Sequence, residues 1–169
     1  QAAFHPKLVV LHSDDRTTIA VGSANLTMAG WHHSEELWTV YSAETNRRSQ
    51  LISDLGAWLI KLSEMLNTGA LTQEFISTVG NSIAGVATEP DDNRLIGNLD
   101  QPIIDQLPTG PVDELNLYAP FHDAGARAIS SLLTRLQPGI VRVAYQPNLW
   151  RVHLQMQPSL WRLHLQGET

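Results

Sequence analysis

The chain has 169 residues, of which 43% are hydrophobic, a formal charge of −6 at pH 7 and no cysteine. That suffices for one domain, or one and part of another, with an ordinary core. It excludes disulfides and thiolate metal sites, a basic surface made for broad contact with nucleic acid, and any apolar run near the roughly twenty residues that span a bilayer. The lack of cysteine fits a reducing cytoplasm, and no signal peptide is visible. The opening on Gln1 points to a fragment or a processed chain. A local basic groove stays open: Arg47 and Arg48 form one small cluster, and Arg151 and Arg162 a spaced pair.

Two β-type runs, 7–11 and 17–21, flank a turn of Ser13, Asp14, Asp15 and Arg16. This is a hairpin signal. His5 and Lys7 are two apart, so on a strand they share a face, roughly 7 Å apart. Gly22 follows the second run and lets the backbone approach a ligand closely. Ser23 and Asn25 add a hydroxyl and an amide at the same strand end. Together these groups suit an anion: charge from Lys7, neutral donors from Ser23 and Asn25, and a nucleophile or proton carrier in His5. In the loop 27–36, His32 and His33 are adjacent. Adjacent strand residues face opposite ways, and no carboxylate or histidine spacing completes a ligand set, so no metal site is expected. Residues 37–42, L-W-T-V-Y-S, read as a strand, with Glu36 just before it.

H-P-K, an apolar strand and then G-S-A-N-L-T-x-x-G-W with Glu36 resemble the HKD motif of the phospholipase D superfamily, most of all its prokaryotic nuclease-like and helicase- or restriction-associated branch. The family pattern is H-x-K, four residues, an aspartate, about six residues, then G-S with an asparagine nearby. His5, Lys7, Gly22, Ser23 and Asn25 match it. The aspartate position falls on His12, with Asp14 or Asp15 as stand-ins, and the gap that follows is longer than the family's. Ser34 stands where this branch often carries asparagine. The resemblance implies an α/β fold, a mixed β-sheet flanked by helices. It implies His5, Lys7, Ser23, Asn25 and Glu36 as catalytic residues, with Lys7, Gly22, Ser23 and Asn25 binding substrate and Glu36 orienting an imidazole. No cofactor or metal is implied.

Residues 45–66 form the best helical pattern, with Leu51, Leu55, Trp58, Leu59, Leu62, Met65 and Leu66 on one face and Thr45 as the expected cap. A second helix covers 71–79, stopped by Gly80 and Asn81. Residues 85–112 carry Pro90, Pro102, Pro108 and Pro111 and read as a connection with brief strands or turns at most. From 114 a strand, a helix over 124–136 capped by Asp123, and a strand over 140–145 make a βαβ unit, with Ala128, Ile129, Leu132, Leu133 and Leu136 as the helix's apolar face. It looks like the opening of a second phospholipase D-like lobe, and Pro120-Phe121-His122-Asp123 resembles that lobe's strand-end turn. His122 reads as a polar residue at the helix start, or as one facing a site. The expected organisation is a lobe over 1–84, a connection over 85–112 and a second lobe over 113–169.

The tail repeats itself: Q-P-N-L-W-R-V-H-L-Q from Gln146 and Q-P-S-L-W-R-L-H-L-Q from Gln157. Alternation suggests two strands joined by a turn at 156–159, apolar on one side and basic on the other. Two copies are too few for a solenoid. His153 and His164 are followed two residues on by glutamine rather than lysine, so neither repeats the H-x-K pair.

The family cleaves phosphodiesters without metal through a histidine nucleophile and a second histidine acid, and this chain offers one motif. The resemblance therefore implies a symmetric dimer or association with another such lobe, acting on DNA or RNA. The position of His5 near the N-terminus points to a partial copy, because the family fold places strands and helices before its first motif. The other readings are a non-catalytic nucleic-acid or phosphate-binding module, and an assembly domain using the tail and an open sheet edge.

Overall fold

The structure is a computed structural model that describes residues 5–47, 49–88, 92–119, 123, 125–144 and 163–166. It divides into two compact units, Gln1–Asp100 and Gln101–Thr169.

In the first unit, β1 (Leu8–His12), β2 (Arg16–Gly22) and β3 (Trp38–Glu44) form an antiparallel sheet in that order. Alternation assigns the faces. Leu8, Val10, Val21, Ile19, Thr39 and Tyr41 lie in register on one face. Ile19 is buried there with Ile52, Leu55, Leu59 and Leu62 of α1 (Gln50–Met65). The other face carries Val9, Ala20 and Val40 in one row and Leu11, Thr18 and Ser42 in the next. Leu11 and Val40 are 62% and 63% exposed, so this face is open.

The apolar face of α1 matches the expected one except at its end, where Met65 is exposed. The helix is capped four residues after the expected cap at Thr45. The Thr45 N–H donates to Asp15 O (2.9 Å) and its hydroxyl to Ser13 O (3.0 Å), so Thr45 closes the β1–β2 turn instead. Ser49 is the cap: its Oγ accepts from the Ile52 N–H at 3.3 Å. Gly80 does not stop the second helix, α2 (Ala70–Ile83), which runs through it and Asn81. Gly80 instead faces α1, where a Cβ would come within 2.9 Å of Ile60, and one on Gly56 within 2.6 Å of the Ala84 backbone. The two glycines permit a close helix contact; a stop signal and a packing site look alike in sequence.

Leu95 and Leu99 of the connecting stretch pack on this core. No strand forms there among the described residues. Its one regular element is a single turn, α3 (Ile103–Gln106). The Arg135 guanidinium holds that turn, donating to Asp105 O (2.8 Å) and Leu107 O (3.0 Å).

In the second unit, β4 (Glu114–Tyr118), α4 (Arg127–Leu136) and β5 (Ile140–Ala144) form the expected parallel βαβ unit, with Leu115 opposite Val141. Ile129, Leu133 and Leu136 of α4 are buried, as are Val141 and Val143 of β5. A fourth element, β6 (Leu163–Gln166), pairs parallel with β5. It belongs to the second tail repeat; the first copy, the expected turn at 156–159, Arg151, Arg162, His153 and Pro120 to His122 lie outside the described residues, as does Arg48. Helices and strands are both present, and among the described residues the strands form one antiparallel and one parallel sheet rather than one mixed sheet.

Helix α4 begins at Arg127, three residues later than expected, after Ala126 in the left-handed conformation (φ 51°). Asp123 still serves it: Oδ1 accepts from the Ala128 N–H (3.0 Å) and Oδ2 from the Arg127 N–H (2.9 Å). The Ala128 N–H, with help from Arg127 and against partial desolvation, holds this carboxyl below its ordinary value of 3.8. A carboxyl with a lowered folded pKa stabilises the fold above its unfolded value. It loses that contribution as pH falls toward the folded value. Asp123→Ala should therefore unfold at lower urea than wild type near pH 7, and the difference should shrink as the pH is brought below about 4. A difference that stays constant with pH would contradict the charged cap.

Candidate functional site

Antiparallel order brings the start of β1, the end of β2 and the start of β3 to one end of the sheet. The expected residues gather there. The Gly22 N–H donates to Lys7 O at 3.2 Å, extending the β1–β2 pairing past the last strand residues. Ser23 and Leu37 extend β2–β3 likewise, with Ser23 N donating to Leu37 O at 3.1 Å. The His5–Lys7 and Ser23–Glu36 pairs thus lie at the same end of the sheet. His5, Ser23, Asn25 and Glu36 are exposed and Lys7 is half-buried, so solvent reaches the site.

Within this group the polar side chains pair locally. Lys7 Nζ contacts His5 Nδ1, lies 3.3 Å from Nε2 and donates to His5 O at 3.3 Å. An ammonium has no lone pair, so in this pair a ring nitrogen of His5 accepts from Lys7. The two residues lie just ahead of β1, two apart in sequence, within reach of each other. Ser23 Oγ donates to Glu36 Oε2 and accepts from the Leu37 N–H at 3.1 Å. Two consequences follow. Glu36 holds Ser23 rather than an imidazole, and the Ser23 hydroxyl proton is committed to that carboxylate. In this arrangement Ser23 braces the strand end instead of offering a donor to an anion.

Asn25 follows where the chain leaves the sheet. Its carbonyl accepts from the Thr27 N–H at 2.7 Å. Gly30 of the π-helical turn Ala29–His33 lies against its backbone, where a Cβ would be 2.6 Å from Asn25 O. Among the described residues no hydrogen bond joins the Asn25 amide to His5 or Lys7. His32 and His33 sit in the same turn, rings edge to face with centroids 4.6 Å apart. The stand-ins for the family aspartate lie elsewhere. His12, with Nδ1 2.9 Å from Thr17 Oγ1, and the turn residues Asp14 and Asp15 are at the far end of β1. Five residues of strand separate them from Lys7 by roughly 17 Å.

Two tryptophans join the site, Trp31 from the end of the G-S-A-N-L-T-x-x-G-W motif and Trp38, for which the sequence suggested no role. Lys7, Gly22 and Trp38 occupy one cross-strand row. The Trp38 indole lies over Gly22, where a Cβ would meet Cδ2 at 2.4 Å and Cε3 at 2.7 Å. Trp31 packs on Trp38 with ring centroids 5.3 Å apart and planes at 54°. Alternation along 37–42 could have put Trp38 on the Lys7 face had the register of β3 been known.

No known protein family, no curated protein and no solved structure matches the chain.

A Cβ at position 22 has no room unless the indole moves. Gly22→Ala should therefore separate the two tryptophans, weakening the near-ultraviolet circular dichroism and red-shifting the fluorescence of a protein that stays folded. Unchanged spectra would contradict the packing of Trp38 on Gly22.

Proposed function

We propose that this sheet end binds a phosphodiester and that His5 takes part in metal-independent hydrolysis of it, with nucleic acid as the substrate, as in the phospholipase D superfamily that the motif resembles. The observation that most supports this reading is that Lys7, with His5 in contact, shares a cross-strand row with Gly22 and Trp38, while the Ser23–Glu36 pair lies at the same end of the sheet. A phosphodiester draws Lys7 away from His5, because its anionic non-bridging oxygens are stronger acceptors than an imidazole. Lys7 and the Asn25 amide then donate to the equatorial oxygens where negative charge builds. A ring nitrogen relieved of its donor attacks phosphorus, and the bond to the leaving oxygen breaks as that oxygen takes a proton from a second imidazole. Water next attacks phosphorus and gives its proton to that imidazole, and the nitrogen–phosphorus bond breaks. Proton transfer of this kind is worth about 10²–10⁴ in rate.

The second imidazole would be the His5 of another copy of the chain. The open face that bears Lys7 and Trp38, with Leu11 and Val40 exposed, supports such pairing. One observation favours a second reading. The site brings together a single histidine, capped by its own lysine. A chain that stays a monomer would bind phosphate or nucleic acid without turnover, with affinity falling as salt rises.

The test is hydrolysis of a chromogenic phosphodiester in excess chelator. Wild type should turn over, and His5→Ala should lose at least about a hundredfold in rate. Absence of turnover by folded wild type would overturn the enzymatic reading and leave the binding one.

A further inference from the structure

We infer that the Trp31–Trp38 pair is a stacking platform for an unpaired nucleobase, which makes the substrate a single strand. The inference rests on the phosphate-binding reading of the neighbouring His5–Lys7 pair. Trp38 is anchored: its indole covers Gly22, in the cross-strand row that contains Lys7. Lys7 and Trp38 flank Gly22 from the two neighbouring strands, each about 5 Å from it, and the indole lies over Gly22 on the face that carries Lys7. Trp31 lies against Trp38 and keeps 53% of its surface in solvent. A large apolar ring held by one edge and open on the rest is costly unless something covers it.

The chemistry of the neighbours selects the occupant. A quaternary ammonium headgroup would want aromatic faces enclosing it and no cation beside it. Here two tilted rings leave an open surface, and Lys7 adjoins it. A nucleotide fits both halves, with its phosphate toward Lys7 and its base on the indole. A base in a duplex is already stacked on its neighbours, so the platform selects unpaired bases. The acidic chain, at −6, provides little attraction elsewhere. Stacking therefore supplies a large share of the affinity, and the salt dependence corresponds to one or two phosphates, a slope of about −0.7 for each.

The test is a fluorescence titration with a short oligothymidylate, an abasic strand of equal length, and the duplex form. The oligothymidylate should quench tryptophan emission and bind more tightly than either competitor. Trp31→Ala should weaken its binding by about 5- to 150-fold and leave the abasic strand unaffected, while Trp31→Phe keeps most of the affinity. Equal binding of thymidylate and abasic strands, preference for duplex, or no loss in Trp31→Ala would overturn the inference. Its failure is distinguishable from failure of the catalytic reading. Trp31-dependent binding without hydrolysis sinks only the enzyme, and hydrolysis without base dependence sinks only the platform.

Discussion

Everything at the candidate site depends on the register of the β1–β2–β3 sheet. The row of Lys7, Gly22 and Trp38 exists because Val10, Ile19 and Tyr41 form another row three residues along on the opposite face. A slip of one residue would turn His5 and Lys7 toward the core and Ile19 into solvent. Burial resists that slip. Each fully buried large aliphatic side chain contributes about 1.5–3 kcal/mol, and Ile19 shares its cluster with Ile52, Leu55, Leu59 and Leu62. A surface pair such as Arg47–Glu44, at 3.8 Å, contributes at most about 1 kcal/mol. The position of the polar site is thus set by apolar packing on the other side of the sheet. The glycine contact between α1 and α2 helps keep that packing tight.

The same division explains what the sequence disclosed. Alternation in 7–11, 17–21 and 37–42, the three-to-four spacing in α1 and α4, and the βαβ order were legible because each reflects a local period. That His5 and Lys7 lie within reach of each other was legible from their spacing too. The roles of Thr45 and Gly80, and the Ser23 partner of Glu36, were not legible because they depend on residues distant in sequence. Thr45 serves Ser13 and Asp15, Gly80 serves Ile60, and Glu36 serves Ser23. Trp38 escaped notice because it needs the cross-strand neighbour Gly22 to give it meaning.

The resting arrangement is self-satisfied: Lys7 on His5, Ser23 on Glu36. A ligand must offer Lys7 a stronger partner than an imidazole to open the first pair, and an anionic phosphate oxygen does so. The second pair can stay closed, since its work is to fix the Ser23–Leu37 strand end. In the proposed reaction, the open sheet face beside them is where a second chain would supply the proton donor.

The most direct measurement is to trap the covalent intermediate. Wild-type protein turning over a phosphodiester in excess chelator would be quenched in alkali and its peptides examined by mass spectrometry. The account predicts an alkali-stable, acid-labile phosphoryl adduct on the peptide containing His5, absent from His5→Ala. Product accumulating while His5 remains unmodified would contradict it.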